Sequence, residues 1–256
     1  MSVLAVVHRN APLRTSLRRG LADPYVRVVT CRTRKRVETL LATDVVDSIV
    51  VDVRHTPLNW VANIADRFPR IPLFAYSAFR PDDGRLLSAC FEVGVRAVLV
   101  EGVDDPVAGE IVSKFGASRV RKQLVTDAPR LLRLAEAIQL RAWDEALGRV
   151  GSLVTTADIA QSLRVSREHL SREFGAGGAP NLKRVIDLAR IICAADLLQN
   201  PGYSVSTVAA ILHFASSSHL ASSARRLTGT APAKLPELGP RGVLAHFLRG
   251  RTRSRL

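Results

Sequence analysis

The side chains best suited to chemistry lie on a short amphipathic stretch, residues 166–174. A guanidinium, as on Arg167 or Arg172, can form a bidentate pair with guanine or hold a phosphate, and His169 can donate to a base edge or to a phosphate. Within the stretch, Arg172 could instead pair with Glu168 or Glu173, which would contribute only a few tenths of a kcal/mol. The residues that packing does not require, and that we expect to contact a nucleic acid, are Arg167, Glu168, His169, Ser171 and Arg172.

Positive charge is concentrated in the half of the chain that contains this stretch. The 256 residues include 37 Lys+Arg and 23 Asp+Glu, a formal net charge of +14. Residues 1–115 hold 16 basic and 13 acidic side chains, whereas residues 116–256 hold 21 and 10. An excess of this kind predicts a polyanionic partner, either nucleic acid or an anionic membrane surface, bound through the second half.

Composition excludes several classes of protein. With 47% hydrophobic residues the chain can bury a core, which excludes wholesale disorder. It has no apolar run long enough to span a bilayer, so we expect a cytoplasmic protein. Of the two polyanions we expect nucleic acid, and not a membrane, as the partner. Three cysteines, Cys31, Cys90 and Cys193, lie far apart without CxxC spacing, and we expect neither a metal site nor a disulfide framework.

Residues 1–115 alternate between apolar runs and helical spacing. The runs start 23, 22, 24 and 24 residues apart, which leaves room for one helix between each pair. This is the βαβ rhythm of a five-stranded, parallel, doubly wound α/β domain of the flavodoxin type. The runs are VLAVV from Val3, VRVV from Val26, SIVVDV from Ser48, PLFAY from Pro72 and RAVLV from Arg96.

Polar residues follow these predicted strands, and in parallel sheets chemistry is concentrated at the carboxyl ends of strands. His8 and Arg9 follow the first, Asp52 the third, Ser77 the fourth and Glu101 the fifth. In this pattern residues 1–115 resemble a response-regulator receiver domain. The resemblance implies that Asp52 occupies the position of the phosphoryl acceptor and that Ser77 supplies the hydroxyl found at the end of the fourth strand.

Two departures from the receiver pattern indicate that phosphorylation is lost. His8 and Arg9 stand where the family has an acidic pair that holds Mg²⁺, and Glu101 stands where it has a Lys. Phosphoryl transfer requires neutralisation of charge around the transferred group, which these residues do not supply. We therefore expect a degenerate receiver that serves in dimerisation or docking, with Asp52 paired to Arg9 or Arg54.

Residues 130–236 contain two copies of one helical pattern. Thr155 and Asp158 have the form of a capping box, and Ser166 can cap the following helix. Val208, Ala209, Leu212 and Phe214 repeat Ile159, Ala160, Leu163 and Val165 at a constant offset of 49 residues. A long apolar helix from residue 181 to 200 connects the copies, so we expect an all-α domain with two helix-turn-helix motifs joined by that helix.

This arrangement resembles the DNA-binding domain of the AraC/XylS family of bacterial transcription regulators. The resemblance implies a rigid unit that presents two recognition helices to successive major-groove segments of double-stranded DNA. Because symmetric dimers are common among soluble oligomers, we expect a homodimer by analogy. RNA polymerase is a further candidate partner. The matching segments are AxxLxVSxxxLSRxF from Ala160 to Phe174, SVSTVAAILHFASSSHL from Ser204 to Leu220, and GTAP ending at Pro232.

The second recognition helix departs from the family pattern. The family commonly has Arg where Ser222 stands, an aromatic residue where Ala224 stands and Gly where His213 stands. Serines discriminate weakly between bases, so we expect the first helix to read sequence and the second mainly to hold the backbone. The expected contact residues of the second helix are Ser217, Ser218, Ser222, Arg225 and Arg226.

The chain is thus predicted to consist of a receiver-like domain (1–115), a linker (116–129), the double helix-turn-helix domain (130–236) and a basic C-terminal tail (237–256). The favoured function is sequence-specific transcription regulation without enzymatic activity, metal or cofactor. Two alternatives remain within DNA binding, namely a response regulator controlled by phosphorylation of Asp52 and a non-specific DNA-compacting protein. An enzyme that uses the α/β half is disfavoured because it lacks a glycine fingerprint and an activated nucleophile.

Overall fold

The computed structural model describes residues 1–175 and 178–253, which form two compact units. One unit comprises Met1–Val120 with Asn200–Gly202, and the other comprises the remaining described residues from Arg121 onward. In the described part of the chain, no helix combines the length and the apolar character that crossing a bilayer requires.

The first unit is a parallel sheet with helices on both faces. The strand order is β2-β1-β3-β4-β5, as expected for a doubly wound domain of the receiver type. Nearly every side chain of β1, β3 and β4 is buried, because helices cover both sides of these strands. The strands are β1 (Ser2–Val7), β2 (Val26–Thr30), β3 (Val46–Val51), β4 (Leu73–Ser77) and β5 (Ala97–Val100), and the helices between and after them are α1 (Ala11–Gly20), α2 (Arg34–Thr43), α3 (Leu58–Arg67), α4 (Gly84–Glu92) and α5 (Ala108–Phe115).

Helices α1 and α5 approach closely because each has a glycine at the contact. A Cβ added to Gly109 would lie 2.6 Å from the Cα of Gly20 and 2.8 Å from the carbonyl oxygen of Leu17. Those neighbours are backbone atoms, which cannot move aside by a change of rotamer. The pair therefore sets how deeply α5 packs against α1 over the sheet.

The segment expected to be a linker, residues 116–129, is largely helical, and the boundary between the two units falls within it, after Val120. It contains α6 (Ala117–Leu124) and the start of α7 (Ala128–Leu131). Asp47, buried on β3, accepts hydrogen bonds from the Ser118 amide (2.8 Å) and hydroxyl (2.5 Å), which hold the start of α6 to the sheet. Arg121, expected on a solvated segment, is buried in the second unit and pairs with Asp196 at 2.8 Å.

The apolar spacing from Leu131 to Ala142 predicts one amphipathic helix after Pro129, and the structure divides this segment into two helices. Helix α7 ends at Leu131, Arg133 adopts the left-handed conformation (φ 59°), and α8 (Ala137–Gly148) begins after it. The Gln139 side chain accepts hydrogen bonds from the amides of residues 135 and 136. These bonds cap the start of α8, although the apolar spacing continues through this point. Apolar spacing alone does not reveal this break, because both segments face the same core.

The second unit is entirely helical and is centred on α11. Twelve of the 16 residues of α11 are buried, including Asp196, which is neutralised by Arg121. The helix begins at Asn181, whose side chain accepts from the Arg184 amide. The remaining elements are α9 (Thr156–Ser162), α10 (Arg167–Gly175), α11 (Leu182–Leu197), α12 (Val205–Ile211), α13 (Ser217–Thr228), a 3-10 turn (Pro232–Lys234) and α14 (Leu235–Arg253).

Residues 237–253 of the expected basic tail form most of α14. Gly239 (φ 58°, ψ −176°) and the following Pro240 interrupt the helix. Beyond them Val243, Leu244 and Phe247 are buried, and α14 packs on α11. The i, i+1, i+4 spacing of these residues gives the helix an apolar stripe that can pack. The arginines and glycines around them make this stripe hard to recognise in the sequence. Residues 254–256 of the expected tail lie outside the described part.

The glycine contact generates a prediction about stability. We expect Gly109→Ala to lower the free energy of unfolding of the first unit by about 1–3 kcal/mol, because a methyl group must force two helix backbones apart. Gly84, at the start of α4, has open space around its added Cβ, and Gly84→Ala is the matched control. The control should be neutral or stabilise by up to about 1 kcal/mol.

Urea titrations followed by Trp60 fluorescence, in a Trp143→Phe background, report on the first unit. Equal midpoints for Gly109→Ala and Gly84→Ala would show that the approach of α1 to α5 is not tight.

Candidate nucleic-acid interface

Side-chain caps fix the start of each helix of the first pair, α9 and α10, as the sequence predicts. Thr155 Oγ1 accepts from the Asp158 amide (3.3 Å), and the Asp158 carboxylate accepts from the Thr155 amide (2.7 Å). Ser166 Oγ accepts from the His169 amide at 3.1 Å and starts α10. The inner faces of both helices are buried, so the orientation of α10 is determined by packing. The buried residues are Ile159, Ala160, Leu163, Leu170 and Phe174.

The second pair, α12 and α13, repeats this construction. Ser204 caps α12 and Ser216 caps α13, each accepting from the amide three residues later at 3.1 Å. Both pairs also turn in the same way, since Arg164 (φ 59°) and its counterpart His213 (φ 56°) are both left-handed. The residue after each donates to the carbonyl five positions earlier, at 3.0 Å for Val165 and 2.8 Å for Phe214. The offset of 49 therefore holds for backbone conformation as well as for side-chain type.

Arg190 on α11 anchors the second pair. Its Nε and Nη2 donate to the Leu212 carbonyl oxygen at 3.2 and 2.7 Å, and its guanidinium stacks 3.9 Å from the centroid of the Phe214 ring. Burial lowers the pKa of Arg190, while Asp187 opposes the shift. Arg190 also matches the AraC/XylS pattern within the connecting helix, but its contact with the turn between α12 and α13 is visible only in the structure.

Gln139 has the corresponding position beside the first pair. Its amide nitrogen donates to the Glu173 carbonyl at 2.7 Å, near the end of α10, while its oxygen caps α8. The side chain is buried, and sequence reasoning missed it because a lone glutamine in a helical pattern gives no signal. Thus α8 and α11 each hold one helix pair by a polar contact as well as by apolar packing.

All five residues predicted to contact nucleic acid on α10 are exposed. Arg172 forms no ion pair with Glu168 or Glu173 in the part of the chain that the structure describes, and the nearest such contact on this face joins His169 Nδ1 and Glu173 Oε1 at 4.0 Å. The guanidiniums are therefore available to a ligand. The exposed residues are Arg167, Glu168, His169, Ser171 and Arg172.

The predicted residues on α13 are exposed too, but their side chains are engaged to different degrees. Arg226 pairs with Asp187 of α11 at 2.8 Å, and Ser222 donates to the His219 carbonyl at 3.0 Å. Ser217, Ser218 and Arg225 complete the predicted set.

Helix α14 adds basic residues beside α13 that sequence reasoning assigned to a tail. Arg225, Arg226, His246 and Arg249 line a cavity of about 540 Å³ at the end of α13. His246 Nδ1 lies 3.0 Å from the Thr228 carbonyl oxygen, which holds the two helices together at this point. The basic surface of the second pair is therefore wider than α13 alone.

The strand-end residues of the first unit do come together, although Asp52 has partners other than those expected. Ser77 Oγ donates to Asp52 Oδ1 at 2.7 Å, and His55 Nδ1 lies 2.6 Å from Oδ2. The expected pairing with Arg9 or Arg54 is wrong, because the Arg54 guanidinium reaches Asp83 instead and only its amide donates to Asp52. Arg54 is only two residues from Asp52 in sequence, but its side chain extends to Asp83. Ser77 reaches Asp52 because it lies on the adjacent strand.

Electrostatics at these strand ends favour a charged Asp52 and a neutral His8. Burial acts to raise the pKa of Asp52, but hydrogen bonds from Ser77 and His55 outweigh it and the pKa lies below its ordinary value. Burial lowers the pKa of His8, against the attraction of Asp52 and Glu101. Nε2 of His8 is buried without a hydrogen-bond partner, 3.7 Å from Glu101 Oε2. No cluster of three or more His, Cys, Asp or Glu able to hold a metal occurs among the described residues.

Comparison with known families gives a match within the second unit. A family model described as a helix-turn-helix domain matches residues 159–237, from within α9 to the start of α14. No relative was found among curated proteins.

Solved structures similar to the chain include one response regulator and two further proteins. The fold of the first unit is assigned from the strand order of this chain and not from these similarities. A response regulator from Thermotoga maritima is 20% identical over 45% of this chain and 97% of its own (TM-score 0.40). Full-length FixJ from B. japonicum is 13% identical over 87% and 95% (0.39). RcsB from Salmonella enterica serovar Typhimurium, bound to promoter rprA, is 16% identical over 73% and 98% (0.36).

The two left-handed turns generate a prediction. A left-handed L-residue costs about 1–2 kcal/mol, which exceeds the extra unfolded-state entropy of glycine, about 0.5–1 kcal/mol. We expect His213→Gly to preserve or raise the thermal stability of the second unit and His213→Val to lower it by about 1–2 kcal/mol, since a β-branched residue fits this conformation worst. Trp143 fluorescence during thermal unfolding measures both.

The same two substitutions at Arg164 are the internal control and should give the same signs. A Gly variant less stable than the Val variant at either position would contradict the proposed turn conformation.

Proposed function

The chain carries an AraC-type helix-turn-helix domain behind a receiver-like domain, and from this premise we propose that it is a sequence-specific regulator of transcription that binds double-stranded DNA. The observation that carries the proposal is the exposed face of α10, where Arg167 and Arg172 stand on a helix whose opposite face is fully packed. A rigid helix with free guanidiniums on one side has the form required for insertion into a major groove.

Charge supports double-stranded DNA as the partner. The excess of basic residues lies in residues 116–256, the part that contains both helix pairs. Phosphate contacts through Lys and Arg supply most of the affinity of such proteins for DNA and make it sensitive to salt. We propose that Arg225, together with the α14 residues beside it, contacts phosphates.

The two pairs have different proposed roles. Arg172 and Arg167 on α10 are suited to bidentate contacts with guanine, whereas α13 presents serines that discriminate poorly between bases. Arg226 is held by Asp187, so a phosphate contact by this residue would have to replace an existing ion pair. We therefore assign sequence recognition to α10 and backbone anchoring to α13, with Arg225 as its main cation.

For the receiver-like unit we propose a docking or dimerisation role that is independent of phosphorylation. Two findings support it. Asp52 is bonded to Ser77 and His55, with His8 and Arg9 where Mg²⁺ ligands would be needed. In addition, three large apolar side chains are exposed in the C-terminal part of the receiver-like unit. Burying them against a partner would favour association. These are Phe91 (58% exposed), Val103 (70%) and Val107 (42%). The proposed partners are a second copy of this chain, in a homodimer, and RNA polymerase.

The division of roles on DNA can be measured with two substitutions. Arg172→Ala should lower affinity for the preferred duplex by about 5- to 150-fold and relax preference at one base position, because a bidentate base contact contributes about 1–3 kcal/mol. Arg225→Ala should weaken binding to all duplexes about equally and reduce the slope of log K against log[salt] by about 1. The assay is competition binding of the full chain to systematically substituted duplexes selected from a random library.

Arg85→Ala, an exposed arginine of the first unit, is the control for loss of one positive charge and should change neither quantity. A position-specific loss from Arg225→Ala with a uniform loss from Arg172→Ala would reverse the assignment. Equal affinity for every duplex would favour a non-specific DNA-compacting protein.

The absence of phosphoryl transfer is a separate prediction. Incubation of the full chain with acetyl phosphate and Mg²⁺ should leave its intact mass unchanged, since the charge of the transferring group would meet no metal held by carboxylates and no lysine. Asp52→Asn should bind DNA as the wild type does. A phosphoryl adduct that forms on the wild type and not on Asp52→Asn would instead establish a phosphorylation-controlled regulator.

A further inference from the structure

An arginine-rich cavity of about 620 Å³ lies at the carboxyl ends of β1, β2 and β3. The cavity lies entirely within the first unit. It shares no residue with the DNA-contacting face, by which we mean the exposed side of α10 with Arg167 and Arg172. Because β2 and β3 lie on opposite sides of β1, the connections leaving the sheet diverge here, and such reversals of strand order are where doubly wound sheets bind ligands. The volume is that of a typical small-molecule site.

The charge of the lining is strongly positive. Four arginines, Arg9, Arg14, Arg32 and Arg34, line the cavity, and Asp52 is its single lining carboxylate. None of these four guanidiniums is in an ion pair among the residues that the structure describes; Arg14 donates only to the backbone carbonyls of residues 8 and 9, at 3.1 and 2.9 Å. Asp52 is already engaged by Ser77 and His55. The cavity therefore has an excess of cations without counter-charge.

The start of α2 adds to this excess. Thr33 caps the helix, and the first turn then contains Arg34, Lys35 and Arg36 and no acidic residue. Cations at a helix N-terminus oppose the helix dipole, whereas an anion there is stabilised. A bound anion would relieve this local repulsion, and both Thr33 and Arg34 line the cavity.

We propose that this cavity binds a small phosphorylated molecule with a di- or triphosphate group, non-covalently and without a metal ion. Four guanidiniums against one carboxylate match an anion with several negative charges, and the planar guanidinium fork suits phosphate oxygens. His8 and Arg9 replace the acidic pair that would hold Mg²⁺, so the positive charge that faces a bound phosphate comes from arginine side chains alone.

The inference does not depend on DNA binding, and it can be tested on the full chain. Calorimetric titration with inorganic pyrophosphate and, separately, with ATP, both in EDTA, should show saturable binding near one site per chain. The double variant Arg32→Ala/Arg34→Ala should weaken it at least about tenfold. Both residues are exposed and have no ion pair among the described residues, so the substitutions leave the core of the unit intact.

Two matched double variants locate the site. Arg18→Ala/Arg19→Ala removes two exposed charges from α1 of the same unit, outside the cavity lining, and should leave affinity within about twofold of the wild type. Arg167→Ala/Arg172→Ala removes two charges from the DNA-contacting face and should do the same.

Three results would overturn the proposal. The first is that neither pyrophosphate nor ATP shows saturable binding. The second is a loss of affinity in either control variant as large as that in Arg32→Ala/Arg34→Ala. The third is binding that appears only when Mg²⁺ replaces EDTA. A loss confined to Arg167→Ala/Arg172→Ala would show that the probes occupy the DNA-contacting face.

Discussion

The burial of α11 is the constraint on which the second unit depends. Twelve of its 16 residues are buried, so the helix cannot shift without exposing apolar surface on several sides. Arg190 on this helix holds the turn of the second helix pair through the Leu212 carbonyl, and Gln139 on α8 holds the end of α10. The two pairs are therefore fixed in spacing, which is what recognition of two segments of one duplex requires.

The first unit keeps the architecture of a receiver but reverses the charge at its strand ends. Where a carboxylate pair would gather a divalent cation, His8 is buried and neutral and Arg9 is exposed. Asp52 remains ionised because Ser77 and His55 hydrogen-bond to it, so its carboxylate is satisfied without a metal. The same edge has become a place for anions instead of cations, although the strand order is unchanged.

Much of this architecture follows from the sequence. Runs spaced 22–24 residues apart specified the parallel sheet, and the 49-residue offset specified two helix pairs, since both patterns arise from regular elements. The partners of Asp52 could not be predicted, because several long side chains can reach one carboxylate and tertiary packing selects among them. Helix α14 was missed since Gly239 and Pro240 break its pattern, and the break after Leu131 leaves the apolar spacing intact.

The central claim is that two helix pairs, held on α11, recognise one duplex with unequal specificity. Selection of bound duplexes from a random library by the full chain, followed by sequencing, tests it most directly. The account predicts one strongly specified segment and a second, weakly specified one about one helical turn (~10 bp) away on the same face. Recovery of sequences without any shared segment, or of two segments on opposite faces of the duplex, would contradict it.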